Sequence, residues 1–280
     1  MSRIKEIFTY SVKEESVDWQ NIITNQKCRY TGKKCFKSRK SNPNISIGTC
    51  TVSYGKENKE VIICPARLME RKQIFVDCLH LLTCHEPGNE IHIVPEVTIP
   101  GGSVDFVLVS TDKKRKVKDF VGIELQTMDT TGTVWPERQN LLHSFGLNVK
   151  NISDGKGYGI NWKMTAKTIL VQLHHKIETF ENLNKHFVLV VQDCLLDYIK
   201  REFSFEHLSA NANIGDSMHF HAYELDEDGC KYKLNLKERY STDKDGIAKL
   251  LGLHANANVE FEEIAKVLEA KISDETLFEL

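Results

Sequence analysis

The chain has 280 residues, 41% hydrophobic and 27% charged, a balance that fits a soluble globular protein with one large domain or a catalytic core with appendages. No apolar run approaches the roughly 20 residues that span a bilayer, and Met1 to Glu15 carries no apolar signal core, so neither a membrane span nor export is expected. The net charge of −2 argues against binding to nucleic acid by bulk positive charge alone.

In chain order, the first fifteen residues read as a short helix or arm. Residues 26–65 are rich in Cys, Lys, Asn and Gly and lack a long apolar period, which predicts loops and short strands. Leu68, Ile74, Cys78, Leu81 and Leu82 fall at mostly helical spacing and predict a helix over 66–84. Strands are expected at 91–99 and 103–109, separated by a Gly101-Gly102 break, and again at 120–126. The stretch 162–183 predicts the clearest helix. Trp162, Ala166, Ile169, Leu173, Ile177 and Phe180 form one stripe, and Asn161 stands where a cap belongs. Phe187 to Val191 reads as a fully apolar strand and 194–202 as a helix. Residues 217–225 and 230–236 read as a hairpin across Asp226 to Gly229, and the end is helical from about 244. Strands and helices mixed without a strict repeat indicate α/β or α+β.

The basic residues are clustered. Lys27, Arg29, Lys33, Lys34, Lys37, Arg39 and Lys40 lie within one acid-free segment, and Lys113 to Lys118 forms a second run. Either run serves as a solvated loop or as a local phosphate-binding patch. Eight cysteines in an unexported chain point to thiols or metal ligands before disulfides. Cys28, Cys35, Cys50 and Cys64 have gaps of six, fourteen and thirteen residues and lie in a region poor in core formers. Four thiolates suit tetrahedral zinc or iron, and buried free thiols are the alternative. Cys78 and Cys84 lie near an apolar stripe and are expected in the core. Cys194 and Cys230 are isolated and read as structural, and His174 and His175 read as packing or surface groups.

The chemical signal lies between Pro95 and Gln126. Asp105 interrupts the apolar strand from Ser103 to Leu108. In the strand Phe120 to Gln126, alternation puts Gly122, Glu124 and Gln126 on one face. If the two strands pair, Asp105 and Glu124 approach each other, and two carboxylates there suit a hard cation such as Mg²⁺. Spacing alone also fits isolated strand acids satisfied by their neighbours.

The segments Pro95-Glu96, Ser103-Val104-Asp105 and Ile123-Glu124-Leu125-Gln126 resemble the core of the PD-(D/E)xK nucleases. More narrowly, Thr31 to Cys35, Ile123 to Thr127, Val134 to Gln139, Asn161 to Leu173, Lys185-His186 and Val190 to Asp193 resemble, in order, the NotI-like type II restriction endonucleases. The likeness covers roughly residues 25–205. It implies an α/β fold with a mixed central sheet flanked by helices, residues 66–280 forming the nuclease domain and 1–65 an arm with a four-cysteine metal-bound subdomain. It implies Mg²⁺-dependent hydrolysis of phosphodiester bonds at a specific double-stranded DNA sequence, leaving 5′-phosphate ends. Asp105 and Glu124 would hold Mg²⁺, with the Leu125 carbonyl completing its coordination. Glu96 would be a third acid, or structural. Gln126 stands where the wider superfamily has Lys. NotI-like enzymes are similar in using Gln, which orients water or phosphate by hydrogen bonds and cannot act as a base. The likeness favours iron at Cys28, Cys35, Cys50 and Cys64, with zinc chemically open. It also implies a restriction-modification role in the bacterial cytoplasm and a homodimer, since cutting two strands takes two sites. Arg138, Gln139 and Asn140 are candidates for reaching base edges. The main rival is a non-catalytic, metal-stabilised DNA-binding protein; a weaker one is a metal-dependent phosphatase of small molecules.

Overall fold

The computed structural model describes residues 2–149, 157–253, 266, 269 and 270. It opens on two strands, β1 (Ile4–Ile7) and β2 (Tyr10–Ser11), where a helix or arm is expected from the sequence. They reverse through Phe8 and Thr9, both with left-handed φ (51 and 66°), a two-residue hairpin turn built without glycine or asparagine. Burial of Phe8 and Thr9 holds that backbone, and no turn residue advertises it.

After α1 (Trp19–Asn25), capped by the Asp18 carboxylate, come β3 (Ser38–Arg39), β4 (Asn42–Ser46), β5 (Thr49–Tyr54) and β6 (Lys59–Ile62). These are the short strands expected for 26–65. A four-stranded sheet runs β2-β1-β5-β6.

The helix expected over 66–84 is broken into a 3-10 segment (Pro65–Lys72), α2 (Gln73–Val76) and a 3-10 turn (Leu79–Leu81). Arg71 and Lys72 take left-handed φ of 49 and 56°. Leu68, Ile74, Cys78, Leu81 and Leu82 are all buried nonetheless. The spacing therefore reported which residues face the core, not one continuous helix.

Next come β7 (Glu90–Ile99), β8 (Gly102–Thr111), β9 (Val117–Gln126), β10 (Thr130–Thr131), α3 (Trp135–Ser144), β11 (Gly159–Ile160) and α4 (Trp162–Asn182). β12 (His186–Gln192), α5 (Asp193–Glu202), β13 (Met218–Asp228), β14 (Lys231–Thr242) and α6 (Lys244–Leu250) follow. Asn161 stands at the N-cap of α4, but its side chain makes no capping bond. Most of the C-terminal segment expected to be helical lies outside the described residues.

The main sheet is six-stranded and mixed, in the order β14-β13-β12-β9-β8-β7, with β12 parallel to both neighbours and the other pairs antiparallel. All seven residues of β12 are buried, as expected of a central parallel strand covered on both faces. One face packs on α4, α5 and the four-stranded sheet, through Leu173, Ile177, Phe180, Leu195, Ile4 and Val52 among others. The other packs on the broken segment 65–82. The fold is thus α/β, a mixed sheet flanked by helices. Among the described residues no helix is long and apolar enough to cross a membrane.

Arg67 ties the two sheets together. Its side chain is fully buried and donates to Glu6 Oε2 on β1 (2.7 Å), to Glu70 Oε2 (2.8 Å) and to the Tyr232 carbonyl on β14 (2.9 Å). Glu70 Oε2 also accepts from the Leu234 N–H at 2.9 Å. Removing the cation would strand two buried carboxylates, at a cost of about 3–5 kcal/mol. Arg67→Met is therefore expected to lower the urea midpoint strongly. A loss under about 1 kcal/mol would show that the two acids are satisfied without it.

The long helix meets the sheet at Gly122. A Cβ there would stand 2.3 Å from Phe180 and 2.8 Å from Phe187, whose rings stack at 4.7 Å. Gly122→Ala is expected to destabilise by about 1–3 kcal/mol through overpacking, read by chemical denaturation. A neutral or stabilising result would mean that α4 shifts freely on β9.

Candidate active site and cysteine cluster

β8 and β9 pair as a hairpin whose tip holds the basic run Lys113 to Lys118, all exposed. The ladder ends at Phe106↔Ile123, so the next opposed residues are Asp105 and Glu124. There the strands part. Asp105 Oδ2 accepts from the Leu125 N–H (2.8 Å), taking an amide that the ladder no longer uses. Glu124 stays in register with Leu189 of β12 on its other side. The two acids expected to share a face are thus brought together.

Glu124 is buried. Its Oε1 accepts from Lys176 Nζ on α4 at 2.7 Å, while its Oε2 is buried without a partner. Burial raises the Glu124 pKa; the Lys176 hydrogen bond opposes that, and the nearby Asp105 charge adds to it. Lys176 was not singled out from the sequence. The signal was present, because it stands three residues after Leu173 and seven after Ile169, on the stripe that α4 buries.

Glu96 faces Asp105 across the β7–β8 ladder, where one pair is skipped between Pro95↔Phe106 and Val97↔Val104. It is exposed with a left-handed φ of 53°. Glu96, Asp105 and Leu125 line a cleft of about 370 Å³ together with Thr31 and Phe36 of the cysteine region. The Gln126 amide donates to the Thr127 carbonyl at 2.6 Å, so it is turned along its own strand.

Cys28, Cys50 and Cys64 are buried, Cys35 is half-buried, and all four are free thiols. Cys50 Sγ donates to the Gly48 carbonyl at 3.3 Å. The neighbouring Cys50 thiol lowers the Cys64 pKa against the opposing effect of burial, with help from the Lys37 charge, while Cys64 and burial raise that of Cys50. Burial raises Cys35, which feels the charges of Cys64 and Cys28. Among the described residues no group of three or more His, Cys, Asp or Glu stands close enough to hold a metal ion. Of the other cysteines, Cys78 and Cys194 are buried. Cys84 is exposed, against the expectation of core packing, and Cys230 is exposed in the β13–β14 turn.

Helix α3 was not anticipated, although Pro136 in its first turn and Glu137 beside it are start signals. Its Trp135 lies between two guanidinium groups, Arg39 at 4.2 Å and Arg138 at 4.6 Å. Arg138 and Gln139, candidates for base edges in the sequence, are buried, and Arg138 Nη1 donates to Gln139 Oε1 at 2.6 Å. Burial lowers the Arg138 pKa to about 10. Arg138 lies near Cys35 and Arg39 of the cysteine region, and Asn140 is exposed.

A family model described as Restriction endonuclease NotI matches residues 24–234, from the start of the cysteine region into β14. No curated protein matches the chain.

Proposed function

Because the chain belongs to the NotI restriction endonuclease family, whose members are site-specific deoxyribonucleases and hence hydrolases, we propose that Asp105 and Glu124 are its catalytic carboxylates in a PD-(D/E)xK-type core. The reaction would be Mg²⁺-dependent hydrolysis of phosphodiester bonds at a specific double-stranded DNA sequence, leaving 5′-phosphate ends. The observation that carries this reading is the juxtaposition of the two acids where β8 and β9 part, with Glu124 Oε2 buried and unpartnered. A buried oxygen without a donor suits a hard cation, and the neighbouring donors are oxygens.

Asp105 and Glu124 would hold Mg²⁺, with the Leu125 carbonyl as a third donor and Glu96 a supporting acid at the cleft edge. When bound, the ion supplies Lewis-acid polarisation of the phosphate and a more acidic water. The chain's own groups bind and orient. Gln126 would turn from Thr127 to hydrogen-bond the attacking water. The exposed Lys27, Lys33, Lys34 and Lys40 and the exposed run Lys113 to Lys118 would hold DNA phosphates. A homodimer would present two sites to a palindromic target. The role is restriction of foreign DNA in the bacterial cytoplasm, with residues 1–65 as a metal-braced arm and 66–280 as the nuclease domain.

Asp105→Asn and Glu124→Gln are each expected to lower cleavage about a thousandfold or more while sparing DNA binding, as measured by plasmid digestion in Mg²⁺ and by gel shift. Gln126→Ala is expected to cost less, because an amide that orients water contributes less than a metal ligand. Either acid variant cleaving within tenfold of the parent protein removes that residue from the site. A protein that binds DNA but never cuts it in Mg²⁺ is instead the non-catalytic DNA-binding module.

Cys28, Cys35, Cys50 and Cys64 would hold one iron or zinc ion per chain, closed to water and outside the hydrolysis. The support is that all four thiols are free, three of them buried, with Cys64 drawn toward the thiolate. The thiols would have to close further around the ion, consistent with metal binding coupled to folding. EDTA followed by Mg²⁺ is expected to restore cleavage with the thiol-bound metal retained. Elemental analysis finding well under one equivalent of iron and zinc, or full activity in Cys35→Ser and Cys50→Ser, sinks this assignment.

A further inference from the structure

Lys176 is the one ion-pair partner of Asp105 or Glu124 among the described residues, and it comes from neither catalytic strand. It sits on α4, within an apolar stripe, with its side chain almost fully buried. The fold makes room for it. Gly101, in the turn between β7 and β8, and Gly102, the first residue of β8, have φ of +90 and +140°. A Cβ on Gly101 would stand 2.1 Å from the His175 carbonyl oxygen, and one on Gly102 would stand 3.2 Å from Lys176 Cε. Thr179 Oγ1 donates to the Pro100 carbonyl at 2.9 Å, fixing the helix against the same turn.

Such a pair is a poor device for stability. Desolvating both ions costs several kcal/mol each, and apolar groups of similar volume often serve as well. The pair does organise Glu124. One carboxylate oxygen is held at 2.7 Å by the ammonium and the other is left without a partner. Gln126 is not placed to do this, since its amide is engaged with Thr127.

We infer that Lys176 is a positioning residue of the proposed cation site: its ammonium holds Glu124 Oε1, so that Oε2 alone is offered to the cation, and it offsets one of the two carboxylate charges. The inference rests on the proposed role of Glu124. Without the ammonium the site would be more negative and Glu124 free to turn. A divalent cation should then bind more tightly, but in an arrangement that supports hydrolysis less well.

The test uses the full-length protein with two readouts, Mn²⁺ affinity by electron paramagnetic resonance and single-turnover cleavage of a plasmid that the parent protein linearises. Circular dichroism and DNA affinity serve as controls for folding. In Lys176→Met, the Mn²⁺ Kd is expected to fall about tenfold, from the loss of one nearby positive charge, while the cleavage rate falls about thirtyfold or more. Lys176→Arg is expected to return both values to within a few-fold of the parent. Lys176→Gln keeps a donor to Oε1 without the charge, and its Mn²⁺ Kd should follow that of Lys176→Met. It serves as the deciding variant if Lys176→Met does not fold. An unchanged or weakened Mn²⁺ affinity in the folded uncharged variant, or a parental cleavage rate, overturns the inference. Mn²⁺ binding and cleavage that both survive Glu124→Gln would instead refute the carboxylate site itself.

Discussion

Burying a guanidinium is tolerable only where every charge it meets is matched, and Arg67 imposes that condition on three separate parts of the chain. Glu6 comes from the first strand, Glu70 from the broken segment, and the Tyr232 carbonyl from the last hairpin of the main sheet. Satisfying them sets how the four-stranded sheet sits on the six-stranded one. The departure of residues 65–82 from a regular helix belongs to the same arrangement. Glu70 must reach both Arg67 and the Leu234 N–H, and the backbone turns left-handed at Arg71 and Lys72 immediately afterwards. Local helical propensity gives way to a buried polar network that would cost several kcal/mol to leave incomplete.

That docking has a consequence for the chemistry. The cleft beside Asp105 is lined by residues of the main sheet and by Thr31 and Phe36, from the region of the four cysteines. Trp135, held between Arg39 and Arg138, fastens the same region to α3. Thr31 and Phe36 therefore line the same cleft as Asp105 although roughly seventy positions separate them from it in the chain.

The acids occupy the point where regular pairing stops. Were β8 and β9 paired one residue further, the Leu125 amide would have no need of Asp105. Because the strands diverge, the Asp105 carboxylate has a fixed position and Glu124 keeps one oxygen free of donors. Lys176 compensates for the burial from across the helix–sheet interface, and that interface is close enough to require Gly101, Gly102 and Gly122. Small residues and a buried lysine on different elements thus serve one carboxylate.

Sequence alone determined the elements whose signals are local. The alternation in β9 put Glu124 on the polar face, and the resemblance to the nucleases singled out its pairing with Asp105, whose register the structure supplies. The apolar stripe of α4 and the unbroken apolar run of β12 announced a covered sheet, and the β13–β14 hairpin followed from its turn. The type of fold and the polar face of β9 were legible because period is a property of neighbouring residues. What only the tertiary structure decided depends on groups distant in the chain. The opening hairpin through Phe8 and Thr9 carries no turn residue and is held by burial. The helix expected over 66–84 yields to the ion network around Arg67. Arg138 and Gln139, polar and read as candidates for base edges or surface hydrogen bonds, are buried on α3. Lys176 meets Glu124 across 52 positions of sequence, a distance that no periodicity can bridge. Each of these was settled by the satisfaction of buried polar groups, which a linear pattern does not encode.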